Sequence, residues 1–456
     1  MEKIFNITCF LIILTVFFNP SSIAQTLNPK KSVLYLANGV TSPVGQNSPS
    51  DATTFSTTTC DGNDVRILPS PLPQSEVHIS INKQNANVLL LSANTFPTSN
   101  SWQGAYWSTN ANISWTGSDN LPNNAPGRGD PSTAFDATGN GYIATMSYPA
   151  GNINAGPDGY AIQRTTNNGT TWGTQVSGSG TINGLDKIMV AADDVQTSPF
   201  ANNFYCTWTN FDVSNGRIEF NRSTNGGTTF STPIALNANW GQGANVQTGP
   251  NGEVYVCWAD YSNNNFPEKG LGFTKSTNGG QNFTSAAIAF PYVGIRTSAS
   301  ADPNFNNTRI NSFPSMAVDK SNGAHRGRIY VTYAAKENGN GKSVIEMRFS
   351  DNQGTTWSNP SVLSISNGRQ NWFPWMAVDD ANGNIYITYY SLDEATGFNT
   401  NTYVAVSNDA GQSFVNQRVS DVNHVTAPIP EFSGGYIGDY IGITAFEGCR
   451  ICFVER

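Results

Sequence analysis

Charged residues are scarce in this sequence. Asp, Glu, Lys and Arg make up 12% of its 456 residues, and the net charge at pH 7 is −8. Such a composition is not expected to provide the basic surface that binds nucleic acids or anionic membranes. Histidine occurs only three times, at His78, His325 and His424, and these scattered positions predict neither a metal site nor a catalytic triad.

Cysteine is also scarce, with six residues in the chain. Cys449 and Cys452 form a single Cys-x-x-Cys pair, and no second Cys or His pair completes a zinc site. Cys206 and Cys257 lie in two matching segments, FYCTW and YVCW, where we expect buried thiols. The cysteines therefore predict neither the disulfide framework of a small fold nor a structural metal.

Long apolar runs are absent except near the N-terminus. There Cys9–Phe18 reads CFLIILTVFF and is followed by the small residues Ser22-Ile23-Ala24. A run of this length is typical of a signal peptide, whereas a bilayer span needs about 20 apolar residues. We therefore expect residues 1–24 to be a cleaved signal peptide. The mature chain from Gln25 is then periplasmic, extracellular or at the cell surface, with no transmembrane span.

Gly, Asn, Ser and Thr are abundant, and one pattern built from them recurs: Ser/Thr-x-Asn/Asp-x-Gly-x-x-Trp/Phe. The copies are Thr165–Trp172, Ser223–Phe230, Ser276–Phe283, Ser350–Trp357 and Ser407–Phe414, with a degenerate copy at Ser108–Trp115. The Asn or Asp side chain accepts backbone N–H groups, the Gly supplies a positive φ, and the final aromatic ring can be buried. Each copy therefore predicts a hairpin turn between two strands.

A second pattern alternates with these turns and predicts a strand, a Gly turn and a Tyr-rich strand. Seven copies begin near Glu76, Asp130, Asp186, Asn245, Phe313, Phe373 and Asp439. Four-stranded units repeated in this way predict the blades of an all-β propeller. We expect residues 25–456 to form one such domain with seven blades, or six as the alternative. N-terminal strands near Ser32–Ala37 and Val65–Leu68 would complete the last blade.

The turn boxes resemble those of the BNR (Asp-box) superfamily, which includes sialidases and related secreted glycoside hydrolases. The resemblance covers nearly the whole mature chain. In that superfamily the boxes lie at the outer edge of the blades, so they indicate the fold and not the reaction. Ligands bind where the inner strands begin, at one mouth of the central channel.

The resemblance assigns catalytic roles to residues near that mouth. Sialidases use a Tyr nucleophile paired with Glu, an Asp acid/base and three Arg residues that bind the substrate carboxylate. By this comparison Glu76 activates Tyr440, or alternatively Tyr436, and Asp130 is the acid/base. Arg66, in Val65-Arg66-Ile67-Leu68-Pro69, is similar to the first Arg of the family.

Further substrate-binding candidates lie at or near the starts of the inner strands. They are Arg128, Asp186, Lys187, Trp372 and Asp439. Lys187 is expected to pair with Asp186, and Trp372 either stacks on a sugar or packs between blades. The three Asp residues at the strand starts can instead cap backbone N–H groups, and Tyr440 can be a core aromatic.

The carboxylates at these positions predict an acidic mouth. Such a mouth repels an anionic sugar unless cations neutralise it, and it suits a neutral glycan, a cationic ligand or a bound Ca²⁺. The resemblance implies a monomeric, secreted sialidase-like protein that binds or hydrolyses an extracellular glycan or glycoprotein. A non-catalytic adhesion or binding propeller of the cell envelope is the alternative, and a polysaccharide lyase is a third interpretation.

Overall fold

A computed structural model describes most of the chain. The described residues are 32–36, 67, 72–97, 102–121, 128–148, 158–213, 216–238, 240–261, 266–298, 301–366, 369–393, 396–420, 423–430 and 432–454. Their regular structure is β, apart from single 3₁₀ turns at Pro303–Phe305 and Glu337–Gly339. The predicted signal peptide lies outside the described residues, and none of the described helices is long and apolar enough to cross a membrane.

The described residues contain twenty-eight strands in seven antiparallel sheets. The strands are numbered here in chain order, beginning with β1 (Ser32–Leu36). The first three four-stranded blades are β2 (Gln74–Ile81), β3 (Leu89–Thr95), β4 (Trp102–Ser108), β5 (Thr116–Ser118); β6 (Arg128–Phe135), β7 (Gly141–Ser147), β8 (Gly159–Thr165), β9 (Val176–Ser177); and β10 (Leu185–Ala192), β11 (Phe204–Asn210), β12 (Arg217–Ser223), β13 (Ile234–Ala235). The next three are β14 (Gly241–Thr248), β15 (Val254–Asp260), β16 (Gly270–Ser276), β17 (Ala287–Pro291); β18 (Ser315–Val318), β19 (Ile329–Lys336), β20 (Ser343–Ser350), β21 (Ser361–Val362); and β22 (Gln370–Val378), β23 (Ile385–Leu392), β24 (Asn399–Ser407), β25 (Val415–Arg418).

The remaining strands are β26 (His424–Val425), which pairs with β24, β27 (Ile443–Phe446) and β28 (Cys449–Val454). The last two join β1 in a three-stranded sheet of order β1-β28-β27. Strand β27 contacts both β22 and β2, so this sheet lies between the sixth blade and the first. The described residues thus form a propeller of six four-stranded blades. The favoured count of seven complete blades is wrong, because the seventh inner strand belongs to this smaller sheet.

The turn boxes form the hairpins between the third and fourth strands of the blades. In Ser223–Phe230, the backbone N–H of Gly227 donates to Ser223 Oγ at 2.9 Å, and Asn225 Oδ1 accepts the N–H of Thr229 at 3.0 Å. Gly227 has φ 78°, a conformation that glycine adopts without a steric penalty. The degenerate copy keeps this conformation with Asn112 at φ 72°. The boxes are therefore local turn devices, as predicted.

The aromatic residue that ends a box packs against the preceding blade. Phe230 of the third blade contacts Tyr160 of the second with ring centroids 6.1 Å apart, and Phe283 of the fourth lies 4.7 Å from Phe220 of the third. Such contacts bury the apolar faces between neighbouring blades. The same layers enclose the free thiols Cys206 and Cys257, which are buried as predicted.

The first strand of each blade lies next to the channel, and all these strands run in the same direction along it. Their starts therefore meet at one mouth and their ends at the other. Lys83, Asp194, Lys320 and Asp380 each stand two residues after the end of an inner strand and meet at this second mouth. Between the two mouths the channel holds a cavity of about 160 Å³.

Ion pairs cross the second mouth. Asp194 accepts from Lys83 and from Lys320, each at 2.7 Å, and Lys83 also pairs with Asp380. Burial alone would raise the pKa of Asp194, but Lys320 and Lys83 hold it below its usual range. Asp194 therefore links the first, third and fifth blades across the axis.

We expect Asp194→Asn to destabilise the protein by about 3 kcal/mol, because breaking a buried ion pair leaves charges without compensation. The measurement is the free energy of unfolding in denaturant. Asp351→Asn is the control. Asp351 also forms an ion pair, in this case with Arg328, but the Asp351 side chain is 57% exposed. We expect this control to cost less than about 1 kcal/mol. Equal losses for the two variants would contradict an axial role for Asp194.

Candidate functional site at the channel mouth

Five inner strands each have a β-bulge near their start, at the first mouth of the channel. The ladder between the first and second strands is interrupted between Ser75/His78, Gly129/Ser132, Asp186/Met189, Gln242/Asn245 and Trp372/Trp375. The first residue inside each bulge has a positive φ: Glu76 (55°), Asp130 (50°), Lys187 (49°), Gly243 (69°) and Phe373 (50°). For residues other than glycine this conformation is strained, and such strain is concentrated at functional sites.

Glu76 and Asp130 form a buried carboxyl pair. Their side chains share a hydrogen bond, Glu76 Oε2 accepts from Asn94 Nδ2 at 2.7 Å, and Asp130 Oδ2 accepts the backbone N–H of Lys187 at 2.7 Å. Burial raises the pKa of both carboxyl groups, and the charge of Asp130 raises the pKa of Glu76 further. Two carboxyl groups in contact cannot both ionise readily, so the pair favours holding one shared proton.

Lys187 lies among aromatic rings. Its Nζ is 4.5 Å from the ring centroid of Tyr440, 5.1 Å from that of Trp375 and 5.6 Å from that of Phe313. The Nζ atom is buried and has no hydrogen-bond partner. Burial lowers the pKa of Lys187 to about 8, although nearby carboxylates oppose the shift. The predicted ion pair with Asp186 is therefore wrong.

The other two carboxylates are bonded to residues of neighbouring blades and loops. Asp186 Oδ2 accepts from Gln242 Nε2 at 2.7 Å, and Gln242 Oε1 accepts from Arg296 Nη1 at 2.8 Å. Burial, followed by the charges of Asp130 and Asp439, raises the pKa of Asp186 to about 6. Asp439 Oδ2 accepts from Arg309 Nη2 at 2.6 Å. Asp186 and Asp439 therefore bond to side chains at the mouth.

Two arginines reach the mouth from the connection between β17 and β18. Glu268 holds this connection, because its carboxylate accepts the backbone N–H groups of Ser312 at 2.9 Å and of Arg296 at 3.2 Å. Arg296 and Arg309 were not predicted as site residues, because neither lies at the start of an inner strand. The available signal was the position of Arg309, six residues before β18 begins at Ser315.

Cations and carboxyl groups are interspersed at the mouth. The cations Lys187, Arg296 and Arg309 face the four carboxyl groups of the mouth, and the proton shared by one carboxyl pair removes one negative charge. Burial lowers the pKa of the nearby His78 to about 3, so its ring is neutral. The cations of the mouth therefore offset part of the negative charge predicted there.

The two candidate tyrosines differ in their surroundings. Tyr440 is buried, and its hydroxyl donates to the carbonyl oxygen of Pro131 at 2.8 Å. Tyr436 is half-buried, and its hydroxyl oxygen lies 3.0 Å from Ser75 Oγ and 3.3 Å from Asn94 Nδ2. Asn94 thus joins Tyr436 to Glu76, and Tyr436 is the more exposed of the two residues.

Most of the predicted site residues meet at this mouth: Glu76, Asp130, Asp186, Lys187, Asp439 and Tyr440. Trp372 does not. It is 1% exposed and lies between Phe305 and Tyr390, with ring centroids 5.4 and 5.6 Å away. Sugar stacking by Trp372 is therefore wrong, and the packing interpretation describes its position. Arg66 and the side chain of Arg128 lie outside the described residues.

A calcium ion was one expected occupant of the mouth. Within the described part of the chain, no group of three or more His, Cys, Asp or Glu side chains is arranged to hold a metal ion. The mouth carboxylates are instead bonded to each other, to backbone N–H groups, or to Gln, Asn and Arg side chains.

The fold and the site together define an all-β propeller with a charged and aromatic channel mouth. No protein-family model matches the sequence, and the curated proteins contain no significant match. Solved structures resemble the fold. One is a polysaccharide lyase of family PL25, an ulvan lyase, with a TM-score of 0.51 and 9% identity over 82% of this chain and 88% of that chain.

Two further structures are similar at a greater distance. A Hadza microbial sialidase has a TM-score of 0.45 and 15% identity over 70% of this chain and 63% of that chain. An α-L-arabinofuranosidase, Arb93A, from Fusarium graminearum has a TM-score of 0.48 and 13% identity over 73% of this chain and 92% of that chain. At these identities the likenesses concern the fold alone. The neighbours are carbohydrate-active propellers.

We expect Lys187→Met to stabilise the protein. The pKa of Lys187 falls from 10.5 to about 8 on folding, so the folded state disfavours the ammonium form. This cost is fully present below about pH 8 and disappears as the pH rises towards 10.5, the unfolded value. At pH 6 the variant should therefore gain about 1 to 3 kcal/mol in unfolding free energy.

The measurement is denaturant unfolding at a series of pH values. Lys275→Met is the control, because Lys275 lies on the third strand of the fourth blade and is half-buried. We expect this control to change stability by about 0.5 kcal/mol or less at every pH. If Lys187→Met were less stable than the wild type at pH 6, this would contradict the conclusion that the buried ammonium group destabilises the folded state.

Proposed function

We propose that this protein is a secreted, sialidase-like glycoside hydrolase that binds an extracellular glycan at the first channel mouth. The observation that carries the proposal is the proton-sharing pair Glu76–Asp130, which lies beside the hydroxyl of Tyr436. Pairs of titratable groups with perturbed pKa values in a concave site are typical of acid–base catalysis.

The spacing of the two carboxyl groups limits the mechanism. Retaining glycosidases that use two carboxylates hold them about 5 Å apart, and inverting enzymes hold them farther apart. Glu76 and Asp130 are in hydrogen-bonding contact, so they act as one proton donor and not as separate acid and nucleophile. A third group must then attack the sugar, and Tyr436 is the candidate because Asn94 joins its hydroxyl to Glu76.

In the proposed reaction the Tyr436 oxygen forms a bond to the anomeric carbon, while the glycosidic carbon–oxygen bond breaks. The Tyr436 proton passes to the carboxyl pair, whose Glu76 accepts from the same Asn94 amide group as the Tyr436 oxygen. The pair donates its shared proton to the leaving oxygen. Water then attacks the anomeric carbon, and the bond between this carbon and the Tyr436 oxygen breaks. One proton of the water restores the tyrosine hydroxyl, and the other remains on the new hydroxyl of the sugar. The carboxyl pair ends with one proton.

The comparisons support carbohydrate as the ligand class, because an ulvan lyase has the same fold. The alternative is a non-catalytic binding propeller of the cell envelope. It is favoured by one feature of the site, since the carboxyl pair and the Tyr440 hydroxyl are already bonded within the protein. Both proposals place the glycan at the same mouth and differ only in turnover.

The test is a panel of neutral and acidic glycosides incubated with the purified mature protein. We expect Asp130→Asn and Tyr436→Phe to lower kcat by about 10²- to 10⁴-fold, because each removes a group that transfers a proton or attacks the sugar. Tyr440→Phe is the matched control and should keep turnover within about threefold, as its hydroxyl only donates to a backbone carbonyl.

Two outcomes would decide against the proposed reaction. Saturable binding of a glycan without turnover by the wild type would favour the binding propeller. Loss of turnover in Tyr440→Phe, with turnover retained in Tyr436→Phe, would move the nucleophile to Tyr440.

A further inference from the structure

The ammonium group of Lys187 is held without the use of its N–H donors. Three aromatic rings lie around it at centroid distances of 4.5 to 5.6 Å, and these rings attract the positive charge through their faces. Lys187 is 2% exposed, and its Nζ has no hydrogen-bond partner. The three donors of the ammonium group therefore have no acceptor within the protein.

A buried ammonium without a hydrogen-bond partner is costly for the protein. The bulge at Asp186/Met189 and the φ of 49° keep Lys187 at this place against its own backbone preference. The fold thus maintains a strained backbone and an unpaired charge at the channel axis. A ligand oxygen that accepts from Nζ would remove the second of these costs.

The surrounding charges restrict the chemistry of that ligand. The carboxyl groups of Glu76, Asp130, Asp186 and Asp439 all act on Lys187. A sugar carboxylate would add a further negative charge close to these groups. A carboxylate also only accepts hydrogen bonds, whereas a hydroxyl can accept from Lys187 and donate to a neighbouring carboxylate.

We propose that Lys187 is the ligand anchor of the mouth and that it binds the vicinal hydroxyls of a neutral sugar, in preference to a sugar acid. This inference rests on the proposed glycan binding at the same site. The ligand class differs from the one that the resemblance to sialidases implies, because the substrates of sialidases carry a carboxylate.

The experiment is calorimetric titration of the purified protein with galactose, glucose, mannose and rhamnose, and with galacturonate and N-acetylneuraminate. We expect at least one neutral sugar to bind about tenfold more tightly than both acids. Lys187→Met should weaken that sugar by about 10- to 100-fold, the usual effect of a hydrogen bond to a charged group. Lys275→Met, on the third strand of the fourth blade, is the control and should bind as the wild type does.

A deoxy analogue separates recognition from a structural effect. The wild type should bind the parent sugar more tightly than the analogue that lacks the hydroxyl contacting Lys187, and Lys187→Met should bind the two equally. Equal discrimination in both proteins would overturn the proposal, and so would a sugar acid that binds more tightly than every neutral sugar. Failure of all the neutral sugars to bind would overturn it as well.

Turnover is measured separately, so the two proposals fail independently. If the wild type hydrolyses a sialoside and Lys187→Met hydrolyses it equally fast, Lys187 is not the ligand anchor, but the proposed hydrolase activity stands. Neutral-sugar binding that depends on Lys187, without turnover of any glycoside, would keep the anchor and overturn the hydrolase.

Discussion

Each blade of this propeller has two apolar faces, and only its neighbours can cover them. Aromatic contacts between blades, such as Tyr160 with Phe230 and Phe220 with Phe283, show how this surface is buried. A single blade would leave such surface in water, so stability requires the ring as a whole. The smaller sheet of β1, β27 and β28 fills the space between the sixth blade and the first.

Closure of the ring also decides where the charges meet. Because the inner strands run in one direction, residues at their starts gather at one mouth and residues just after their ends at the other. The second mouth places alternating charges within ion-pair distance, and Asp194 serves two lysines there. The first mouth places two carboxyl groups in contact and leaves Lys187 unpaired. The two ends of one channel therefore use buried charge differently, for closure at one end and for proton sharing at the other.

The bulges explain how a channel-lining strand can present such groups. At the same position of the inner strand, five of the six blades carry Glu76, Asp130, Lys187, Gly243 and Phe373, all with positive φ. Gly243 leaves space that the Phe313 ring occupies, since a Cβ there would lie 2.3 Å from that ring. The bulge and its positive φ recur in these blades, whereas the side chain at this position differs from blade to blade. This separation allows one scaffold to hold different chemistry in each blade.

Sequence alone determined the propeller class, because its signals are local. A box such as Ser223–Phe230 closes its own turn with hydrogen bonds between residues four apart, and the strand pattern repeats with it. It also placed Glu76, Asp130, Lys187 and Asp439 at one mouth, because strand order is enough to align strand starts. Blade count, charge balance and residue roles depended on contacts between distant segments. Arg309 meets Asp439 across 130 positions of the chain, and Lys187 meets aromatic rings of three other sheets or loops in place of its neighbour Asp186. Such pairings have no local signature, so only the tertiary structure decided them.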